Sequence, residues 1–137
     1  MKIKSLYIII ATGLIFVALS SFYQTSTTLK GTWIYAGDIF NGKKEGAPTA
    51  YTLQRKYSDA HFEAHVIEKG YLPEMYETGD YLLKADTCLE MQTYSKQDSK
   101  LTNIVVHYHY TVSNDTLTLK GVLPNGERVE EYWKKIK

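Results

Sequence analysis

Apolar and polar residues alternate with a period of two over most of the chain beyond residue 28, and no window there keeps the spacing of a helix. The clearest stretch is 102–121. Ile104, Val106, Tyr108, Tyr110 and Val112 fall on one face of an extended chain, and Val105, His107, His109 and Thr111 on the other. Ser113-Asn114-Asp115 carries turn chemistry, because short Asx side chains tolerate left-handed backbone and bond locally. Leu117 and Leu119 then alternate with Thr116, Thr118 and Lys120. The pattern predicts an antiparallel hairpin with one apolar and one wet face.

The same period predicts the other strands. Leu29–Tyr35 is the first, and Gly37–Pro48, with Asn41-Gly42 and Gly46, reads as an exposed loop. Tyr51, Leu53, Arg55 and Tyr57 share one face of a second strand; Phe62, Ala64 and Val66 share one face of a third. A fourth runs over Met75–Lys84, where Gly79 marks a bulge or a close backbone approach. On the fifth, Leu89, Met91 and Thr93 alternate with Cys88, Glu90 and Gln92. A polar loop covers 95–100, the hairpin supplies strands six and seven, and 128–136 is the last. A turn or short helix fits 69–75. The fold class is all-β: an antiparallel up-and-down meander of about eight strands, closed as a small barrel that hides its edges. A two-sheet β-sandwich is the alternative.

The amino terminus has another character. Met1-Lys2-Ile3-Lys4 is basic, and Leu6 to Leu19 is almost unbroken apolar, short of the roughly 20 residues that a membrane-spanning helix needs. This predicts a signal peptide over residues 1–20, a flexible lead-in over 21–28 and one domain over 29–137. The protein is then exported, periplasmic or secreted, with no stable membrane span after cleavage; the alternative is an inner-membrane anchor through an uncleaved segment. Cys88 is the only cysteine, so no internal disulfide supports the domain. Removing Lys2 and Lys4 from 16 basic residues leaves them close to balance with 15 acidic ones, and no basic stripe suggests nucleic acid.

Gly31-Thr32-Trp33 at the first strand resembles the G-x-W motif that opens lipocalins. The resemblance implies that Gly31 and Trp33 are structural. The tryptophan would close the barrel floor and stack with a basic residue of the last strand, where Glu131-Tyr132-Trp133-Lys134-Lys135 offers a lysine and Arg128 lies nearby. Gly79-Asp80-Tyr81, the later Glu90, and Asp115 to Gly121 before Glu131-x-Trp133 are similar to small secreted bacterial lipocalin-like domains of unassigned function. The likeness covers most of 29–137. It implies a lipocalin-like barrel shorter than the typical one, without flanking helices, and Trp133 as a further structural residue.

An eight-stranded interior is filled by side chains or holds one small ligand. Tyr51, Tyr57, Tyr81, Tyr108 and Tyr110 are candidates to line it, each with an apolar body and a polar tip; the same pattern suits an aromatic core. Arg55 shares the face of Leu53 and Tyr57. If that face is interior, its guanidinium needs a partner, either Glu131 or a ligand carboxylate; a shifted register would put it outside. The histidine pairs His61/His65 and His107/His109 lie on the wet face of strands that are not neighbours, so no metal site is expected. Cys88 has no adjacent basic residue to activate it. Asp80, Glu90 and Glu131 are carboxylates of the kind a glycosidase uses, but no nucleophile, base and orienter occur as a set, so no catalytic residue is assigned. Asn114-Asp115-Thr116 matches a glycosylation sequon and equally suits the hairpin turn. The leading expectation is an exported, non-enzymatic protein that holds a small apolar or amphipathic ligand inside the barrel, without a cofactor. Second comes a solid-core envelope protein acting through protein contacts at loops 37–48 and 95–101, and third an enzyme using interior carboxylates.

Overall fold

A computed structural model describes residues 28–136. The signal peptide expected over 1–20, and all of the lead-in except Thr28, lie outside the described residues. Nine strands follow one another: β1 (Gly31–Phe40), β2 (Lys43–Gly46), β3 (Thr52–Tyr57), β4 (His61–Ile67), β5 (Glu74–Lys84), β6 (Thr87–Ser95), β7 (Val105–Ser113), β8 (Thr116–Val122) and β9 (Arg128–Ile136). No described residue is helical, and 68–73 is a turn and loop.

Strands β3 to β9 pair antiparallel in chain order. β1 pairs with β3 on one side and, from Thr32↔Ile136 to Phe40↔Val129, with β9 on the other. That second pairing closes an eight-stranded barrel and excludes the open sandwich. The remaining strand corrects the sequence reading of 37–48 as a loop. Asn41 and Gly42, at φ 49° and 83°, form a two-residue turn of the left-handed kind that matches strand twist. β1 therefore continues to Phe40, and β2 folds back on it as a short charged edge.

Bulges bend the wall where the pairing register slips, at Ala36 in β1, at Tyr76 in β5 and at Thr93 in β6. Gly79 faces the β6 slip. A Cβ there would stand 2.3 Å from the Met91 carbonyl oxygen and 2.8 Å from the Phe62 ring, so the close approach expected at this position is present.

The two ends of the barrel differ. At one end the strands are joined by the short connections 58–60, 85–86 and 114–115, and Asn114 and Asp115 both take positive φ. Leu29, fully buried, tucks in beside Trp33, whose indole N–H donates to the Leu29 carbonyl at 2.8 Å. Tyr57, Phe62, Tyr81, Tyr110, Leu117 and Leu119 fill the space above them. Truncating an aromatic in such a core costs about 3–5 kcal/mol. The other end is framed by the longer segments 47–51, 68–73 and 96–104. We call the first end the floor and the second the mouth.

Trp33 seals the floor. Lys135, its cross-strand partner on β9, lays its ammonium 5.3 Å from the indole centroid. A Cβ at Gly31 would stand 2.8 Å from the Lys135 Cε, so a residue without a side chain makes room for the lysine stem. Arg128, the other basic candidate for this contact, sits at the opposite end, where its backbone pairs with Asn41.

Candidate functional site

The inner wall above the floor is polar. Leu53, Arg55 and Tyr57 point inward from β3, as their alternation requires, and Arg55 is buried. Its guanidinium lies between two rings, 4.7 Å from the Trp133 centroid and 4.9 Å from that of Phe62. Its edges meet carboxylates. Nη1 donates to Glu90 Oε2 at 3.3 Å and to the Tyr57 hydroxyl at 3.2 Å, and Nη2 lies 3.5 Å from Glu77 Oε1. Tyr57 in turn donates to Glu90 Oε1 at 2.7 Å.

This corrects the pairing considered from sequence. Glu131 is not the partner of Arg55; it points inward from β9 and accepts the Trp133 indole N–H at 2.9 Å. The structure also decides the face of β6, which the alternation left open. Cys88 and Glu90 point into the barrel and are buried, while Leu89 and Met91 are turned to the outer side, because β6 pairs Cys88↔Tyr108 and Glu90↔Val106 with the inward face of β7. Burial of Glu90 is tolerated because Arg55 and Tyr57 together occupy both of its oxygens.

The electrostatics follow from that burial. Burial pushes the Glu90 carboxyl above its ordinary value, and Arg55 and Tyr57 oppose the shift without cancelling it. Burial alone would push Arg55 down, but Tyr57 and the carboxylates of Glu90, Glu77 and Glu131 outweigh it and keep the guanidinium charged. The Cys88 thiol is driven up, first by burial and then by Glu90, so it stays protonated and unreactive.

Above this network lies an internal cavity of about 90 Å³, walled by Arg55, Glu77, Glu90, Gln92, Tyr108 and Glu131 together with apolar neighbours. Glu77 and Gln92 also belong to the wall of a larger depression of about 560 Å³ at the mouth, which Tyr51, Leu53, Val66 and Tyr76 line as well. The two spaces adjoin through those shared residues. A concavity of about 800 Å³ lies outside the barrel, over the Asn41-Gly42 turn, Lys120, Arg128 and Glu130.

The tyrosines separate into three groups. Tyr57 and Tyr108 border the polar interior. Tyr81 and Tyr110 belong to the packed floor, with the Tyr81 ring edge-on to Tyr57 at 4.9 Å, and neither is part of the cavity wall above it. Tyr51 does not lie inward on a strand as its alternation suggested; it precedes β3 and stands half-exposed at the mouth. Trp133 is buried beside Arg55, with its ring edge-on to Tyr35 at 5.2 Å. Glu77, Gln92 and Tyr76 were missed by sequence reasoning. The bulge at Tyr76 breaks the period of β5 that would have shown the direction of Glu77. Among the described residues no group of three or more His, Cys, Asp or Glu is placed to hold a metal ion. No protein-family model matches the chain, and no curated protein matches it.

Proposed function

We propose that this protein is an exported, non-enzymatic carrier, related to the lipocalin-like domains its motifs resemble, that takes one small amphipathic molecule through the mouth of its barrel. The observation that carries this reading is the polar cavity over a solid floor, adjoining a wider depression with tyrosine and aliphatic walls. A ligand would place its polar end in the space walled by Arg55, Glu77, Glu90, Tyr108 and Glu131, and its apolar part against Tyr51, Leu53, Val66 and Tyr76. The periplasm or the medium is the proposed location, because a basic start followed by a short apolar run is the pattern of a signal peptide.

The test is titration with Nile red, a neutral dye whose emission rises in an apolar site. The expected result is saturable binding to one site, abolished by Gln92→Trp, which fills the passage between the two spaces. Unsaturable binding, or binding that Gln92→Trp leaves unchanged, overturns the reading.

A second reading, contact with another envelope protein, has one observation in its favour. Tyr71 and Leu72, at the tip of the 68–73 segment beside the mouth, are 73% and 90% exposed. Surface apolar residues of this size, adjacent in sequence, suit a partner. Replacing both with serine and repeating a cross-linking experiment in the envelope separates the two: a lost cross-link supports the partner, and an unchanged pattern removes it.

A further inference from the structure

The cavity wall has an excess of acceptors and of negative charge. Among the described residues Arg55 is its one cation, against the carboxylates of Glu77, Glu90 and Glu131. Arg55 engages Glu90 and Glu77, and Trp133 satisfies Oε2 of Glu131. Glu77 Oε2 and Glu131 Oε1 receive no hydrogen bond from the described residues. A separate observation points the same way. Tyr108, more than nine-tenths buried, lines the cavity, and its hydroxyl bonds to none of the described residues. A hydroxyl open to the cavity and without a protein partner can accept from a donor placed there.

We propose that the cavity receives the ammonium group of a primary-amine amphiphile. An ammonium is a compact charge with three donors and no acceptor. Here it meets Glu77, Glu131 and the Tyr108 oxygen, and it offsets charge that Arg55 leaves unbalanced. A carboxylate head would find only the Arg55 Nε–H without a partner, its Nη atoms being engaged, and would face three like charges. A hydroxyl head would satisfy Tyr108 and leave the charge excess untouched. Size agrees as well: one water needs roughly 10–15 Å³ of such space, so about 90 Å³ admits a head of a few heavy atoms and sends a longer chain into the mouth.

This assignment rests on the carrier reading above, and three matched probes distinguish the two. Hexylamine, 1-hexanol and hexanoate are each titrated into the purified full chain at neutral pH, with calorimetry and thermal denaturation as readouts. Hexylamine is expected to bind at one site, about tenfold or more tighter than hexanol, which is the worth of one charge-assisted hydrogen bond. Glu77→Gln and Glu131→Gln each weaken hexylamine by about tenfold and leave hexanol unchanged. Tyr108→Phe weakens hexylamine by a smaller factor. If hexanol or hexanoate binds as tightly as hexylamine, the ammonium assignment falls and the carrier reading stands. If none of the three binds or shifts the melting temperature, both fall. The comparison of probes on the unaltered protein decides even where a variant fails to fold.

Discussion

Arg55 shows how one interior charge dictates its surroundings. A guanidinium taken out of water is tolerated only with excellent partners, and here it has two carboxylates, a phenol and two aromatic faces. Removing one partner is therefore expensive. Glu90→Leu leaves Arg55 and Tyr57 facing an apolar side chain and is expected to cost about 3–5 kcal/mol in urea unfolding. Glu90→Gln keeps the shape and an acceptor for Tyr57, so it isolates the titration. Because the folded carboxyl lies above the ordinary 4.5, the folded state holds more protons than the unfolded one between those two values. The contribution of Glu90 to stability is thus whole below about pH 4.5 and is lost as pH rises through the raised folded value. Melting temperatures followed upward from pH 4 should fall more steeply for the natural protein than for Glu90→Gln. Parallel profiles would show that Glu90 titrates normally.

At the scale of strands and turns, bulges and close approaches matter more than propensity. Gly79 has no left-handed backbone to excuse it; it is required because the Met91 carbonyl and the Phe62 ring occupy the space of a side chain. Gly79→Ala must part β5 from β6 or displace Phe62, and is expected to cost roughly 3 kcal/mol, at the upper end for an overpacked site. Gly46→Ala, where a Cβ meets nothing within 4 Å, should be within about 0.5 kcal/mol of the natural protein. Equal midpoints in urea for the two variants would contradict this account. The same scale explains what the sequence made legible. On β7 the faces differ in kind, Val106, Tyr108 and Tyr110 against His107 and His109, so alternation alone revealed the inward side. On β6 both faces are mixed, and Leu89 and Met91 outweigh Cys88 and Glu90 on any hydropathy scale; only Arg55, 35 residues earlier, makes Glu90 the inward one. The Asn41-Gly42 turn carries a strong hairpin signal, but Lys43-Lys44-Glu45-Gly46 has no apolar alternation to suggest the strand that follows it.

For the whole molecule, closure of β1 on β9 places most tyrosines of the inner wall where a phenolate is strongly disfavoured. Burial is the leading cause in each case: it raises Tyr35, Tyr57, Tyr81, Tyr108 and Tyr110, and lifts Tyr76 to about 12. These residues come from β1, β3, β5 and β7, on different sides of the barrel. A phenol whose folded value is raised stabilises fully below its unfolded value of about 10 and loses that contribution as pH climbs past it. Several act together, so the loss should be cooperative. Above about pH 10, the phenolate absorbance of these tyrosines and the loss of far-ultraviolet dichroism should rise as one transition, steeper than a single-site titration. Trp33→Phe, which weakens the floor seal without adding charge, should move that transition to lower pH. Phenolate formation spread over several pH units with the dichroism unchanged would mean that water reaches the tyrosines of the folded barrel, and the dry floor beneath the cavity would have to be abandoned.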